Sequence, residues 1–426
     1  MPCTSKRLAL VIAFALSAFS IQIASARGDM EPPSDHQPAA PEPATPFYFV
    51  DYATTDNGRS VAQVLDRAVD ALLESGNLSV REQYLIADDA RYMGNLAPGR
   101  IGAVLEQLAG SQNANLGSAT QNNMNQISNG LLSAMRELND STTRSGPGRL
   151  WVQGLGNTGR LDGQRGSAGV KQSTQGLMLG ADWAVDPAWR VGAMVGKSDS
   201  DLSAKRFKAD LDSWHLGAYA VRQDGPLALR LGAIHSNHSG QNKRSIDFDF
   251  IDYRERVNGQ YKAKSQNAFT ELGYRLDSGT FNTEPFIGLG YQRYQRKSFK
   301  EKGGMTALNV GAQTQDNLSS TLGVRLASLY TLDNQMTLKP HLSTHWKHLY
   351  GDVTSRVRQS SAWVNKAVFN SDFVIDGSSL DRDSLALKAG LDVGVSASQS
   401  IGLTYSSEFG TRSSNQSVLG QWTLSF

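Results

Sequence analysis

Histidines and serines are the side chains of this chain that could perform acid–base or nucleophilic chemistry. Six histidines fall after residue 210, namely His215, His235, His238, His341, His345 and His348. A nucleophilic serine is often presented in a Gly-x-Ser-x-Gly turn, and the sequence contains no such motif. His341 and His345 would lie about 13 Å apart along an extended strand, too far to share a metal ion. No catalytic residue, metal site or cofactor is therefore predicted with these side chains.

The elements that carry these residues have a hydrophobic period of two. From Arg149 onward, apolar residues alternate with glycine, polar or charged residues, as in Trp189 to Gly196 and in Leu385 to Val395. This alternation is typical of β-strands with two different environments. Charged residues on the non-apolar face are predicted to point into the lumen of a barrel: Asp182, Arg190, Arg230, Glu271, Arg275, Arg325, Lys339, His341, Lys388 and Asp392. A soluble β-sandwich would instead bury its apolar face.

About twelve strands are predicted, and their connections alternate in length. The predicted strands are 149–160, 173–185, 188–200, 211–223, 227–239, 264–277, 283–297, 316–331, 335–350, 384–397, 400–410 and 415–426. Tight turns are expected at 186–187, 224–226, 278–279, 333–334 and 398–399, and long polar loops at 161–172, 201–210, 240–263, 298–315 and 351–383. Short periplasmic turns and long extracellular loops on an even number of strands are typical of an outer-membrane barrel. The fold class predicted is an all-β transmembrane barrel of about 12 antiparallel strands.

The last predicted strand ends the sequence with an aromatic residue. Val418, Gly420, Trp422, Leu424 and Phe426 share one face of it. A free apolar strand of this length would aggregate in water, whereas the closing strand of a barrel has both edges paired. The terminus therefore favours a closed barrel.

Residues 57–144 have helical spacing instead. Segments are predicted from about residue 61, over Arg81 to Tyr92, over Pro98 to Ala109, and over Ala119 to Leu138. The last segment has a narrow apolar stripe and many neutral amide side chains. This composition suits a helix in a wet, polar channel, so the barrel is expected to follow a small α-helical segment and a pore helix.

The N-terminus predicts export. Lys6 and Arg7 precede an apolar run from Leu8 to Phe19, and Ala24 and Ala26 form a small-x-small cleavage site. The apolar run is too short to be retained as a spanning helix. The only cysteine, Cys3, would be removed with this signal peptide, so the mature chain is expected to fold without disulfides.

Composition excludes one class of partner and suggests the domain boundaries. Lys+Arg 42 against Asp+Glu 40 leaves a net charge of +2, which indicates no nucleic-acid partner. Six prolines between residues 31 and 46 predict a flexible tail. The predicted organisation is a signal peptide at 1–26, a Pro-rich tail or short passenger at 27–56, a helical pre-barrel segment at 57–118, a pore helix and linker at 119–146, and a barrel at 147–426.

Three stretches of the barrel region resemble the autotransporter β-domain family of type V secretion. They are Arg149 to Gly156, Gly176 to Trp183 and the terminal Gln421 to Phe426. Asn57 to Asp66 and Leu105 to Gly110 resemble the helical segment that often precedes such barrels, so the resemblance covers roughly 57 to 426. It implies a twelve-stranded barrel that holds in its pore a helix linked to an exported passenger. The sequence departs from the family pattern in one respect: it shows no β-helix repeat, and only a short segment precedes the helices.

The resemblance also implies location and partners. Such a barrel lies in the outer membrane of a Gram-negative bacterium, contacts lipid, and is inserted by the barrel-assembly machinery with the help of periplasmic chaperones. The assembly signal would be Trp422, Leu424 and Phe426. The protein is expected to act as a monomer without cofactors, and its N-terminal segment is expected at the cell surface.

An asparagine pair in the predicted pore helix resembles the position at which some autotransporters cut themselves. If this held here, Asn122 would cyclise onto its own main chain before Asn123, and the lumen carboxylates of Asp182, Glu271 and Asp392 would assist. The competing interpretation is that these asparagines solvate a pore helix.

Three alternatives to a translocator remain open from the sequence. A porin would need an open lumen, and an adhesin could use the aromatic and charged stretches Lys243 to Tyr261 and Ser360 to Asp376. An enzymatic barrel would need a nucleophile and a base that meet at the rim.

Overall fold

Twelve long strands dominate the computed structural model, which describes residues 47–426 except 77, 139–145, 165, 249, 251–252, 280, 334–335 and 352. The predicted signal peptide, Cys3 and the proline-rich stretch lie outside the described residues. The strands are β1 (Gly148–Leu161), β2 (Val170–Ala184), β3 (Trp189–Ala204), β4 (Phe207–Asp224), β5 (Leu227–Phe248), β6 (Tyr253–Tyr274), β7 (Phe281–Arg296), β8 (Gln313–Ser328), β9 (Thr337–Tyr350), β10 (Asp383–Gly394), β11 (Gln399–Gly410) and β12 (Ser413–Ser425).

Each strand pairs antiparallel with the next one in sequence, and β12 returns to pair with β1. In that closing pair Arg149 lies opposite Ser425 and Leu161 lies opposite Ser413. Since the first and last strands share a full ladder of hydrogen bonds, the sheet has no free edge. The predicted closed, twelve-stranded antiparallel barrel is confirmed.

The alternation along the strands separates two environments as expected. In β10 the side chains of Leu385, Leu387 and Leu391 lie on the outer surface, whereas Ala386 is buried inside. Leucine, valine and tryptophan side chains are likewise exposed around the other strands, for example Leu177, Val191 and Leu403. An apolar outer band of this kind is the surface that a bilayer requires.

Two of the predicted long loops are wrong. Residues 201–210 and 240–263 belong mostly to β3–β4 and β5–β6, which extend far beyond the predicted strand ends. Along these extensions many of the buried inward residues are apolar, such as Phe207, Leu211 and Val257, and the outward ones are polar. The pattern inverts because the outer surface there faces water instead of lipid, so a search for apolar residues on the lipid side missed the strands.

The loops at this end of the barrel also form structure of their own. Four short strands make a small antiparallel sheet, in the order Phe373–Asp376, Arg356–Ser361, Leu308–Val310 and Phe299–Lys300. At the opposite end, two further short strands, Leu276–Ser278 and Tyr330–Thr331, belong to hairpin turns. Long connections therefore gather at one end of the barrel, and short turns gather at the end that contains Phe426.

In the described part of the chain, four α-helices precede β1: α1 (Asp56–Glu74), α2 (Val80–Gly94), α3 (Pro98–Ala109) and α4 (Gln112–Glu137). The Thr55 hydroxyl caps α1, and Ser79 with Glu82 forms a capping box on α2. Gly110, with φ 56, ends α3 in the left-handed conformation and lets the chain turn into α4. Among the described residues, none of the helices combines the length and hydropathy needed to cross a bilayer.

The predicted boundary between tail and helical segment needs correction. A 3-10 turn over Phe49–Tyr52 packs on α1, and Phe49 is buried. The Asp66 carboxylate accepts the backbone N–H groups of Phe49 and Val50 at 2.6 and 3.1 Å, and burial raises the pKa of Asp66. Residues 47–56 thus belong to the folded helical module, which we define as residues 47–109.

The helical module covers the end of the barrel that bears the long connections. Val61, Leu65 and Leu105 share one apolar core with residues of the extended strands and of the small loop sheet, including Phe207, Leu308 and Ile375. The side-chain amide of Asn57 bonds to backbone carbonyls of Gly166 and Asp376, both at 2.7 Å. The module is therefore built into the loops and lies over the mouth of the pore.

Candidate functional site

The lumen of the barrel is occupied by α4, which runs from the helical module toward the end that contains Phe426. It begins at Gln112, earlier than the predicted start at 119. The additional first turns contain polar residues that are nevertheless buried within the protein, such as Asn113 and Asn115. The fold predicted for this region, a helix inside the pore, is confirmed. Three successive layers of contacts hold the helix.

The outer layer surrounds Asn113, close to the start of α4. Its side-chain amide donates to Glu301 and Gln359, both at 3.1 Å, and its side-chain oxygen accepts from Asn242 at 2.7 Å. Glu301 is also paired with Arg244 at 2.7 Å, and both side chains are almost fully buried. This buried hydrogen-bond network fixes the depth of the helix N-terminus in the pore.

Neutral amides make the middle layer. Asn122 and Asn415 exchange two hydrogen bonds of 2.8 and 2.9 Å between their side chains. Asn123 donates to the hydroxyl of Ser200 at 3.1 Å, and Asn125 accepts from Gln292. The amide side chains of α4 therefore solvate the helix against the barrel wall, as its composition suggested.

Two of the histidines extend this layer within the wall. The ring nitrogens of His215 bond to Ser198 and Ser236 at 2.9 and 2.7 Å. His238 bonds in the same way to Ser213 and Ser265 at 2.7 and 2.9 Å. Because both nitrogens of each ring are bonded to hydroxyl groups, these histidines tie neighbouring strands together.

His341, His345 and His348 lie apart from this ladder. His341 is 3.6 Å from Asp392 in the lumen, and the His345 ring lies beside Phe286. His348 bonds to Asp383 at 2.7 Å. Among the described residues, no three potential metal ligands of the His, Cys, Asp and Glu types lie close enough to hold an ion.

The inner layer is ionic. Glu271 is contacted by Arg136 of α4 at 2.5 Å, by Arg230 at 2.9 Å and by Arg325 at 3.0 Å. Glu284 completes the group by pairing with Arg230 and Arg325 at 2.7 and 2.9 Å. The barrel contributes two arginines and two glutamates, so Arg136 inserts a further positive charge into a group that is otherwise balanced.

A second ionic group surrounds Asp182. Arg149 contacts this carboxylate at 2.8 Å and also donates to the carbonyl of Ala134 on α4 at 2.9 Å. Arg190 contacts it at 3.0 Å, and the Tyr219 hydroxyl donates to it at 2.8 Å. The alternation of the strands correctly placed Asp182 and Arg190 inside, but it did not single out Arg149 as their partner.

The apolar stripe of the pore helix packs against one part of the inner wall. Met124, Ile127 and Leu131 contact large side chains from β1 to β5 and β12, among them Trp151, Met178, Met194 and Tyr219. Glycines on the adjacent strands make room for these rings, since a Cβ on Gly180 would meet Trp151 and one on Gly192 would meet Tyr219.

The residues predicted to take part in self-cleavage do not come together. Asp182 and Glu271 lie near residues 134–136 of α4, about 18 Å along the helix from Asn122 at 1.5 Å per residue. Asp392 lies in the same inner part of the lumen, near Glu137. The carboxylates that line the cavity around Asn122 are Asp381 and Glu408. Alternation in β11, where Leu403 and Tyr405 face outward, was the signal that could have placed Glu408 inside.

The predicted assembly signal lies at the closing seam. Phe426 and Gly148 exchange backbone hydrogen bonds of 2.9 and 3.0 Å. The side chains of Trp422 and Phe426 are on the outer surface, 37% and 54% exposed. The predicted assembly signal therefore lies on the outer surface of the barrel, where the first and last strands meet.

Comparison with known proteins identifies this architecture. The family model described as "Autotransporter beta-domain" matches residues 150–406. The chain is 26% identical over 411 residues to an "Extracellular serine protease" of Serratia marcescens, an alignment that covers 89% of this chain and 38% of that protein. The chain thus spans well under half of the length of that relative.

Two solved structures share the fold. The translocator domain of the autotransporter NalP from Neisseria meningitidis matches with a TM-score of 0.56 and 17% identity, covering 74% of this chain and 99% of that one. The β-domain of the Bordetella autotransporter BrkA matches with a TM-score of 0.50 and 17% identity, covering 66% of this chain and 100% of that one.

Proposed function

Because the chain belongs to the autotransporter β-domain family and is an outer-membrane translocator barrel, we propose that the segment it exports and presents is its own helical module. The observation that carries the proposal is the path of α4. This helix connects the module, at the end with the long connections, to the lumen contacts near the end that contains Phe426.

The orientation follows from the general plan of outer-membrane barrels. In such barrels the short turns face the periplasm and the long connections face outward. Applied here, this plan puts Phe426 on the periplasmic side and the module on the cell surface. The chain enters the periplasm with its signal peptide, which is removed between Ala26 and Arg27. The barrel-assembly machinery then receives the last strand, with Trp422, Leu424 and Phe426 as its signal.

We assign no catalysis to the barrel. The buried histidines are bonded to serines on both sides, and neither has a carboxylate that would orient it as a general base. The porin-like alternative is disfavoured because α4 and its three layers of contacts fill the lumen. The adhesin-like alternative loses part of its basis, since Lys243 to Tyr261 lies largely in β5 and β6 instead of in a polar loop.

Cysteine labelling tests the proposed orientation cleanly, because Cys3 is the only cysteine of the sequence. Glu74→Cys places a thiol at the exposed end of α1 in the module, and Ser278→Cys places one in an exposed turn at the opposite end. A membrane-impermeant maleimide applied to intact cells should label Glu74→Cys alone, and permeabilised cells should show labelling of both. Labelling of Ser278→Cys alone on intact cells would reverse the orientation and overturn the proposal.

A further inference from the structure

Charged side chains on the outer surface of the barrel are sorted by sign. One row of outward residues runs directly from strand to strand through the backbone pairing. Across β3 to β6 and the residue after β7, the row contains Asp199, Asp212, Ser239, Lys262 and Lys297. Acidic side chains of this row therefore lie on β3 and β4, and basic ones lie on β6 and at the end of β7.

Two more cations lie beside the basic end of this row. Lys264 is the next outward residue of β6 after Lys262, and Arg293 lies on β7. We call Lys262, Lys264, Arg293 and Lys297 the basic face. Arg293 pairs with Asp316 at 3.7 Å, whereas the three lysines are exposed and, in the described part of the chain, have no carboxylate partner. Since Lys262 and Lys297 lie directly opposite each other, their repulsion favours the binding of an anion.

The basic face begins where the apolar outer band ends. Along β7, in the direction of the helical module, the outward residues are Ile287, Leu289, Tyr291 and Arg293. Ile287 and Leu289 are more than half exposed, as is usual for the lipid-facing side chains of a barrel. Tyrosine is typical of the boundary between hydrocarbon and head groups. The basic face therefore lies at the depth of the lipid head groups, where long lysine side chains reach the phosphates.

Neutral hydrogen-bonding side chains lie among these cations. Lys264 has Asn237 opposite it on β5 and Gln295 opposite it on β7. Gln266 lies opposite Arg293. The three amide residues are exposed. Amides both donate and accept hydrogen bonds and so suit sugar hydroxyls, whereas ammonium and guanidinium groups suit phosphates. The combination therefore matches a phosphorylated sugar.

We propose that the basic face is a binding site for a phosphorylated glycolipid of the outer leaflet. The phosphates contact the lysines, the sugar hydroxyls contact the neighbouring amides, and the acyl chains lie on the apolar band below. A phospholipid with a single phosphate fits less well, because the cations of the second strand and the amides would stay unused. The aspartates of β3 and β4 repel the same head group, which confines it to one side of the barrel.

Native mass spectrometry of the full chain in non-ionic detergent tests the site. Lipid A, a diphosphorylated glucosamine lipid, is the probe, and the wild-type chain should retain it. The double variant Lys262→Gln with Lys264→Gln should weaken binding by about 30-fold, at roughly a factor of five for each lysine near an anionic head group. Lipid A from which both phosphates have been removed should bind the wild-type chain no better than it binds the double variant.

The matched control is Lys208→Gln with Lys243→Gln. It removes the same charge from two exposed lysines that lie opposite each other on β4 and β5. Lys243 is six residues beyond Asn237 on β5, which is about 20 Å along the strand. Binding of lipid A should therefore change little. Since all four lysines are exposed, both double variants should show the same folded band on gels as the wild-type chain.

Equal weakening by the two double variants would overturn the proposal, because it would show attraction by overall charge. Equal retention of phosphatidylglycerol and lipid A would also overturn it, since one phosphate would then suffice. Displacement of lipid A by inorganic phosphate would do the same, because free phosphate lacks acyl chains. The choice of leaflet rests on the orientation proposed above, whereas binding in detergent does not. Cysteine labelling that reversed the orientation would therefore overturn the leaflet and leave the site in place.

Discussion

Three buried carboxylates of the lumen, those of Asp182, Glu271 and Glu284, each contact more than one guanidinium group. Glu271 contacts three guanidinium groups, and Asp182 contacts two together with the Tyr219 hydroxyl. Burial of a charge is costly unless it is paired and hydrogen-bonded, so the loss of one member leaves its partners uncompensated. These residues are consequently the points at which single substitutions should disturb the barrel most.

Glu271→Gln should destabilise the folded barrel by about 3–5 kcal/mol, because Arg136 would lose the carboxylate that it contacts, and Arg230 and Arg325 would keep only Glu284. Unfolding in urea of the chain refolded in detergent, followed by the shift between folded and unfolded bands on gels, measures this. Asp316→Asn, which breaks a half-exposed pair with Arg293, should cost less than about 1 kcal/mol. Equal midpoints for the two variants would contradict the role assigned to Glu271.

Cleavage at Asn122 stays a prediction. In the uncut chain Asn122 and Asn123 are continuous within α4, and both side chains are engaged in hydrogen bonds with the wall. If Asn122 is the scissile residue, Asn122→Gln should give one full-length band in outer-membrane preparations where the wild-type chain gives a separate barrel fragment that starts at Asn123. A wild-type chain that is already uncut in the membrane would rule the cleavage out.

At the level of single elements, substitutions in α4 and β12 test the proposed translocator function most directly. The helix approaches the wall closely where it lacks a side chain. An added Cβ at Gly130 would meet the end of Met178 and lie 3.2 Å from Oε1 of Gln153. Ser133, one turn further along on the same side of the helix, is half-buried and lines an open space beside α4 together with Lys388 and Asp392. The two positions should therefore respond differently to added bulk.

Gly130→Leu should push α4 away from the wall. Overpacking at this position should lower the stability of the folded barrel by about 1–3 kcal/mol. Ser133→Leu is the matched control, because the same leucine would extend into the open space beside α4 and leave the contact of the helix with Met178 intact. The temperature at which the folded band disappears on gels should fall for Gly130→Leu and change little for Ser133→Leu. A larger fall for Ser133→Leu would mean that the wall is packed more closely against Ser133 than against Gly130.

The closing strand should be sensitive at its last residue. Deletion of Phe426 removes its backbone bonds to Gly148 and the aromatic side chain that the family resemblance assigns to the assembly machinery. Outer-membrane levels of folded, heat-modifiable barrel should fall strongly, whereas Phe426→Tyr should preserve them. Unchanged levels after the deletion would argue against an assembly signal at this position.

Over the whole molecule, α4 connects the folded helical module to the barrel. The same helix also fills the pore of the barrel. The module shares its apolar core with the extended strands and the loop sheet, and α4 then fills the lumen below it. Module, loops and helix therefore depend on one another for burial. We expect the barrel to be tightly closed only when all three are present.

A chain that begins at Gly146 lacks the module and the pore helix. In planar bilayers it should show much larger openings than the full chain, because the lumen then contains only the side chains of the wall. Comparison of single-channel conductance under identical salt conditions measures the difference. Equal conductance would show that α4 does not fill the pore in the membrane, and the porin-like function would then be favoured.

The sequence alone determined the barrel, because a side-chain period of two and an outer band facing lipid are local properties that each strand repeats. Leu385, Leu387 and Leu391 identify the lipid face without knowledge of any partner strand. The same alternation placed Asp182, Arg230 and Glu271 inside the barrel. Pro98 likewise marked the start of α3. The amide-rich composition of α4 predicted a helix in a polar pore.

Only the tertiary structure decided which of these groups meet. Ion pairs such as Arg149 with Asp182 and Lys347 with Glu408 depend on strand register and on neighbours far apart in sequence. The extended β3 to β6 escaped the sequence pattern because, beyond the bilayer, their apolar residues turn inward to share a core with the helical module. The packing of α4 against one side of the barrel likewise depends on Trp151, Met178 and Tyr219, which come together from three strands. No single segment of the sequence encodes this arrangement.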